Sequence, residues 1–272
     1  MRTLAAPGLL PVRVAGPVDG RPVVLLHGFL ADSRQWRTVT QLVDATVGPP
    51  IRWLLPDLPG HGRAAGRFPA QPGWDFLVDL LARSLAPHLR QPALLGGYSM
   101  GGRIAAVLAA AQRLELAGLW LESAHPPLDP DAARGRQVED EARAQRLEAN
   151  GIAAFVDDWQ ALALFASQQG LPRATREAQR RLRLSQQPAG LARSLRWYGT
   201  GTMPRDLRIA TPTQLLAGAL DPKLLARLTQ WQPLVADLTC TIAPDAGHAV
   251  HLEQPSRAAG HLAHSLALAF PT

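Results

Sequence analysis

Between the apolar run Ala93-Leu94-Leu95-Gly96 and a helix-forming stretch stands Gly97-Tyr98-Ser99-Met100-Gly101, a G-x-S-x-G. A strand that passes into a helix within two or three residues must turn sharply at the serine. Small residues on either side let the backbone take that turn and leave the hydroxyl exposed at the strand's carboxyl end. Such an element needs a chain of alternating strands and helices around it, and the rest of the sequence has that form. Residues 23–26, 53–55, 93–96, 118–121, 213–216 and 238–242 read as buried strands. Residues 34–47, 74–89, 101–113, 222–231 and 256–269 read as the helices between them. Strand, helix, strand in repetition predicts a mostly parallel central sheet with helices on both faces.

The alternation stops after Glu122. Residues 131–150, 152–165 and 173–198 all read as helical, with no strand-like run among them. The expected organisation is a first core part at 1–122, an all-helical cap insertion at 123–205 and a second core part at 206–272. The insertion follows one strand and precedes the next, which places it at the carboxyl ends of the strands, where open α/β sheets carry their sites.

Composition excludes several other classes. With 47% hydrophobic and 18% charged residues, against about 25% charged in an average domain, the 272-residue chain can bury a large core and is not disordered. Its 24 prolines and 23 glycines are dispersed as turn residues, and no internal repeat is present. Cys240, the single cysteine, rules out an intramolecular disulfide and a cysteine-rich zinc site, and fits a reducing, cytoplasmic setting. No segment approaches the ~18 apolar residues of a bilayer span, so no membrane association is expected. Of the 28 lysines and arginines only Lys223 is a lysine. That bias fits either a GC-rich genome or bidentate recognition of carboxylate or phosphate. The arginines are scattered and not interleaved with stacking aromatics, which argues against nucleic acid. The eight histidines come without carboxylate or thiolate partners at ligand spacing, so neither a metal nor another cofactor is expected.

A serine hydroxyl is inert near neutral pH unless a base adjoins it and a third group orients that base. In α/β-hydrolases the order along the chain is serine, acid, histidine. Asp221 follows the strand at 213–216 and His248 follows the last strand, both at the same sheet rim as Ser99. Each has a plainer reading. Asp221 precedes Pro222 and fits a helix cap, and His248 fits a loop histidine. His251, His261 and His264, on or near the final helix, read as surface or packing residues. The backbone N–H groups of Phe29, in His27-Gly28-Phe29, and of Met100 are the candidate oxyanion donors. Asp57-Leu58-Pro59-Gly60-His61-Gly62 marks the fold, with His61 structural.

Arg103 stands four residues after Ser99, in the first turn of a helix, where the macrodipole disfavours a cation by about 0.3–1 kcal/mol. An anionic substrate near the serine would offset that cost and a neutral ester would not. A solvent-exposed arginine is the plain alternative.

Gly97-Tyr98-Ser99-Met100-Gly101-Gly102-Arg103 resembles the elbow of the 2-succinyl-6-hydroxy-2,4-cyclohexadiene-1-carboxylate synthase family, enzymes of menaquinone and phylloquinone biosynthesis with the α/β-hydrolase fold. The resemblance extends to Leu26-His27-Gly28-Phe29, Pro56 to Gly62, Glu122-Ser123-Ala124-His125-Pro126, Leu191 to Arg196 with Gly199-Thr200-Gly201, and Gly218 to Lys223. It covers residues 22–260, and the motifs inside the insertion are its specific part. It implies a lyase that removes pyruvate from 2-succinyl-5-enolpyruvyl-6-hydroxy-3-cyclohexene-1-carboxylate after abstraction of a ring proton. Ser99, activated by His248 and Asp221, would be the base, with no acyl-enzyme. Arg103, Arg183 and either Arg134 or Arg136 would bind the three carboxylates. The spacing after Leu128 leaves the last choice open. Trp159 would line the pocket, and Tyr98 would add a wall or a hydrogen bond.

Two other functions fit part of the pattern. The triad alone equally suits a serine hydrolase of a small ester, lactone or thioester, against which the arginines discriminate. A non-catalytic member of the fold that binds a small acid would not need all three triad residues.

Overall fold

The computed structural model describes residues 2–4, 8–48 and 50–271. Its strands are β1 (Arg2–Leu4), β2 (Val12–Ala15), β3 (Arg21–Leu26), β4 (Ile51–Pro56), β5 (Ala93–Tyr98), β6 (Leu116–Glu122), β7 (Thr213–Gly218) and β8 (Leu238–Ala243). They form one sheet in the order β1-β2-β4-β3-β5-β6-β7-β8. From β4 across to β8 all neighbours are parallel, while β2 joins β4, and β1 joins β2, antiparallel. The helices are α1 (Arg37–Asp44), α2 (Trp74–Leu85), α3 (Met100–Ala110), α4 (Pro130–Gln160), α5 (Arg173–Leu184), α6 (Pro188–Tyr198), α7 (Pro222–Leu225), α8 (Val250–Glu253) and α9 (Pro255–Ala269).

The period-two geometry of a strand sends alternate side chains to opposite faces. Val23, Leu25, Leu94 and Trp120 accordingly pack with Val39 and Val43 of α1 and Leu262 and Leu266 of α9. On the other face Val24, Leu26, Leu95, Leu119 and Leu121 pack with Leu77 and Leu81 of α2 and Ile104 and Leu108 of α3. Each such side chain contributes about 1.5–3 kcal/mol through burial. α3 is buried from Met100 to Ala109, which explains why its sequence is apolar around the whole helix except at Arg103.

The chain between β6 and β7 holds α4, α5 and α6 and no strand. Gly151, at φ +76°, divides α4 into two helical pieces. Ala144, Leu147, Phe155 and Val156 of α4 pack on Leu191, Ala192 and Leu195 of α6, and Leu30 joins that cluster to the loop after β3.

All six expected parallel strands form. The opening antiparallel pair was not expected, because β2 (Val-Arg-Val-Ala) is four residues long with only alternate residues buried, too short to stand out as a run. Several helices are shorter or more divided than their periodicity predicts. The helix expected at 34–47 starts as a 3-10 turn at Ser33–Trp36, where the Asp32 carboxylate accepts the Arg34 N–H. That expected at 74–89 ends at Leu85 ahead of Pro87, and that at 173–198 divides before Pro188, which opens α6. Proline lacks the N–H that a helix interior requires. Residues 222–231 form α7 and a separate turn at Leu228–Trp231. No helix among the described residues is long and apolar enough to cross a membrane.

Candidate active site

Ser99 lies in the turn between β5 and α3 with φ +51° and ψ −110°, backbone values that an L residue takes only under constraint. A Cβ on Gly97 would come within 2.4 Å of the Gly101 backbone, and one on Gly101 within 2.2 Å of the Leu26 carbonyl oxygen. Both glycines of the G-x-S-x-G are thus required by contact. The Ser99 N–H donates to the Glu122 carbonyl at 2.9 Å, tying the turn to β6.

His248 follows β8, and its Nε2 lies 2.9 Å from Ser99 Oγ, while its Nδ1 lies 2.6 Å from Asp221 Oδ2. With Nδ1–H donated to the carboxylate, Nε2 is left to accept the serine proton. The second oxygen, Asp221 Oδ1, accepts the Leu224 N–H at 3.1 Å, so the residue also caps α7. One side chain therefore both bonds His248 and caps α7. Burial alone would raise its pKa, but hydrogen bonds from His248 and from the Leu224 N–H hold it below the usual value.

The N–H groups of Phe29 and Met100 have no hydrogen-bond partner among the described residues. Ser99, Asp221 and His248 border a cavity of about 1480 Å³, which Phe29 and Met100 also line. Its far side comes from the helical segment, through Arg136, Trp159 and Arg183. Trp159 stacks on Phe155, with centroids 5.8 Å apart, and tilts against Phe29 at 5.2 Å. Tyr98 is buried and packs on the His248 ring at 5.4 Å.

Arg103 is 6% exposed, so the solvent-exposed alternative does not hold. Its Nη1 donates to the Tyr198 carbonyl at 3.2 Å, and burial, with Arg136 nearby, draws its pKa down to about 9. Arg183 is likewise 6% exposed, lies over the Phe165 ring at 5.3 Å, and is drawn by burial to about 10. Neither is paired with a carboxylate among the described residues. Arg136 borders the cavity and bonds Asp140 through Nε at 2.9 Å. Arg134 does not border it: its side chain is 70% exposed and pairs with Asp131. Of the two arginines, Arg136 alone faces the cavity, because residues two apart on a helix point about 200° apart.

His61 is fully buried beside His27, away from the cavity, with Nδ1 on the Pro59 carbonyl. His261 meets the Trp120 indole N–H at 2.9 Å, and His264 is exposed. His251 is more than a packing residue. It borders the cavity and its Nδ1 lies 2.7 Å from the buried Glu122 carboxylate. The available signal was Glu122 itself, a charge ending the apolar run Leu119-Trp120-Leu121, which requires a partner once buried.

Residues 23–260 match the alpha/beta hydrolase family. The chain is 33% identical over 254 residues to the 2-succinyl-6-hydroxy-2,4-cyclohexadiene-1-carboxylate synthase of Enterobacter sp. (strain 638), covering 90% of this chain and 92% of that one. Among solved structures it resembles MenH from S. aureus, with a TM-score of 0.85, 32% identity and coverage of 95% and 98%. A malate-bound thermophilic esterase from Thermogutta terrifontis superposes with a TM-score of 0.78 at 27% identity, over 98% and 97% of the two chains. Fold, coverage and identity together make this chain a member of the alpha/beta hydrolase family and, within it, of the 2-succinyl-6-hydroxy-2,4-cyclohexadiene-1-carboxylate synthase family.

Proposed function

We propose that this chain is a lyase that converts 2-succinyl-5-enolpyruvyl-6-hydroxy-3-cyclohexene-1-carboxylate to 2-succinyl-6-hydroxy-2,4-cyclohexadiene-1-carboxylate and pyruvate. The observation that carries the reading is the pair of buried arginines, Arg103 and Arg183, without carboxylate partners in the cavity that holds the triad. An unpaired buried cation costs several kcal/mol, and a substrate with three carboxylates offsets that cost when it binds.

The change from a 3-ene to a 2,4-diene loses the proton at ring carbon 2 and the enolpyruvyl oxygen at ring carbon 5. Ser99 Oγ takes the ring proton as its own passes to His248 Nε2. The electrons form the new double bond, the existing one shifts, and the carbon–oxygen bond at carbon 5 breaks; the departing enolate takes the proton from His248 and tautomerises to pyruvate, which returns the triad to its starting form. Carbon 2 carries the succinyl carbonyl, so negative charge develops on that oxygen, and the free N–H groups of Phe29 and Met100 are the donors for it. Asp221 keeps the imidazole in the required tautomer and stabilises it when charged. Arg103, Arg136 and Arg183 hold the carboxylates, and Trp159 and Tyr98 form walls beside the ring. The substrate is a small trianion met in the cytoplasm, and the reaction involves neither nucleic acid nor a membrane.

A serine hydrolase of small esters is the second reading, favoured by the likeness to the Thermogutta esterase. Supplying the purified protein with the enolpyruvyl substrate beside p-nitrophenyl acetate separates the two. Fast pyruvate release with slow nitrophenol release supports the lyase, and the reverse overturns it.

A further inference from the structure

Beneath the nucleophile lies a second carboxylate–imidazole pair. Glu122, at the carboxyl end of β6, is the register partner of Tyr98 and is fully buried. Its Oε1 accepts two hydrogen bonds from one residue, from His251 Nδ1 at 2.7 Å and from the His251 backbone N–H at 2.9 Å. The His251 ring is held between Trp36, at 5.3 Å, and Tyr98, at 4.5 Å, and Tyr98 meets His248 on its other side. His251 stands three residues after His248. The same loop is fastened again by Glu253, which accepts the N–H groups of Gly247 and Ala249 on either side of His248.

We infer that Glu122 and His251 are positioning residues for the triad, tying the loop of the base to β6, the strand that also holds the Ser99 turn, and pressing Tyr98 against His248. Three observations support this. Glu122 acts at both ends of the connection, since its carbonyl holds the Ser99 N–H and its carboxylate holds the loop of His248. A full carboxylate is removed from water with no arginine or lysine bonded to it, an expense that packing alone does not require. The row Trp36, His251, Tyr98, His248 leaves the base little freedom to swing from Ser99. A shift of about 1 Å at such a base can cost about a hundredfold in rate. The inference rests on the triad reading of Ser99, so its test includes a reaction that needs no natural substrate.

That reaction is labelling by a small fluorophosphonate, in which Ser99 Oγ bonds to phosphorus, fluoride leaves and His248 takes the serine proton. In His251→Phe the ring still fills the gap but cannot bond Glu122. The expected result is a folded protein whose kcat and Ser99 labelling rate both fall about ten- to a hundredfold while KM changes less than about threefold. Glu122→Gln keeps an oxygen for both N–H groups and is expected to retain kcat within about threefold. The double variant Glu122→Leu with His251→Phe removes the stranded carboxylate and should regain thermal stability without regaining kcat or labelling. Wild-type rates in His251→Phe, losses in Glu122→Gln as deep as in His251→Phe, or recovery of kcat together with stability in the double variant would each overturn the inference. Failure of the wild-type protein itself to label at Ser99 would instead sink the triad reading.

Discussion

Asp221 orients His248 with one carboxylate oxygen, 2.6 Å from Nδ1, while its other oxygen caps α7 at the Leu224 N–H. The two tasks separate under substitution. Asp221→Asn can keep the cap through its amide oxygen but then turns an NH₂ group to His248, which imposes the wrong tautomer. Its kcat should fall about 10³- to 10⁴-fold with little change in Tm, and Ser99→Ala and His248→Ala should match it in activity. Asp221→Ala should lose, in addition, about 0.5–2 kcal/mol of stability with the cap. Kinetics and thermal melts on the four proteins check this, and near-normal activity in Ser99→Ala would remove the catalytic reading.

Arg103 and Arg183 should trade stability for function. Replacing either by methionine removes a buried, unpaired cation, so the ligand-free protein is expected to melt about 2–4 °C higher for each kcal/mol gained. The same change should lower kcat/KM about ten- to a hundredfold, and lysine should not fully restore it. A methionine variant that melts lower yet turns over normally would contradict both halves.

Arg134 and Arg136 are two residues apart but differ in placement, so their alanine variants should differ too. Arg136→Ala is expected to raise KM about tenfold, whereas Arg134→Ala, whose side chain pairs with Asp131 in solvent, should be silent. Equal losses in both would show that the helix presents a different face to substrate.

Elimination by a serine base leaves no bond between substrate and enzyme. Intact mass spectrometry during turnover of the enolpyruvyl substrate should find Ser99 unmodified, and rapid-mixing traces should lack a burst. A trapped substrate adduct on Ser99 would favour acyl transfer.

His27, His61, His125 and His261 are each depressed in pKa, chiefly by burial, His61 to about 3 and His125 and His261 to about 4. The unfolded chain takes up these protons near pH 6.5, which the folded chain declines until lower pH. Stability is therefore full above about 6.5 and is expected to fall steadily as pH drops toward 4. Thermal melts from pH 7 to 4 test it, and a flat Tm across that range would contradict it.

The elbow, the six parallel strands and the order of Ser99, Asp221 and His248 were legible in sequence because local demands set them. An apolar run six residues long has to be buried on both faces, and the contacts at Gly97 and Gly101 involve chain only a few residues away or in the adjoining strand. The phase of the cap helix was not legible. Asp140, Ala144 and Leu147 form its buried stripe, and Arg136 precedes Asp140 by one turn on the same face, but a charged residue inside the stripe hides its period. The burial of Arg103 depended on α6, whose Tyr198 carbonyl lies 95 positions along the chain. The bond between Glu122 and His251 spans 129 positions. Periodicity and turn chemistry act over a few residues, so they determined the scaffold and the order of Ser99, Asp221 and His248 along it, whereas the burial of Arg103 and the pairing of Glu122 with His251 were decided only when distant segments packed together.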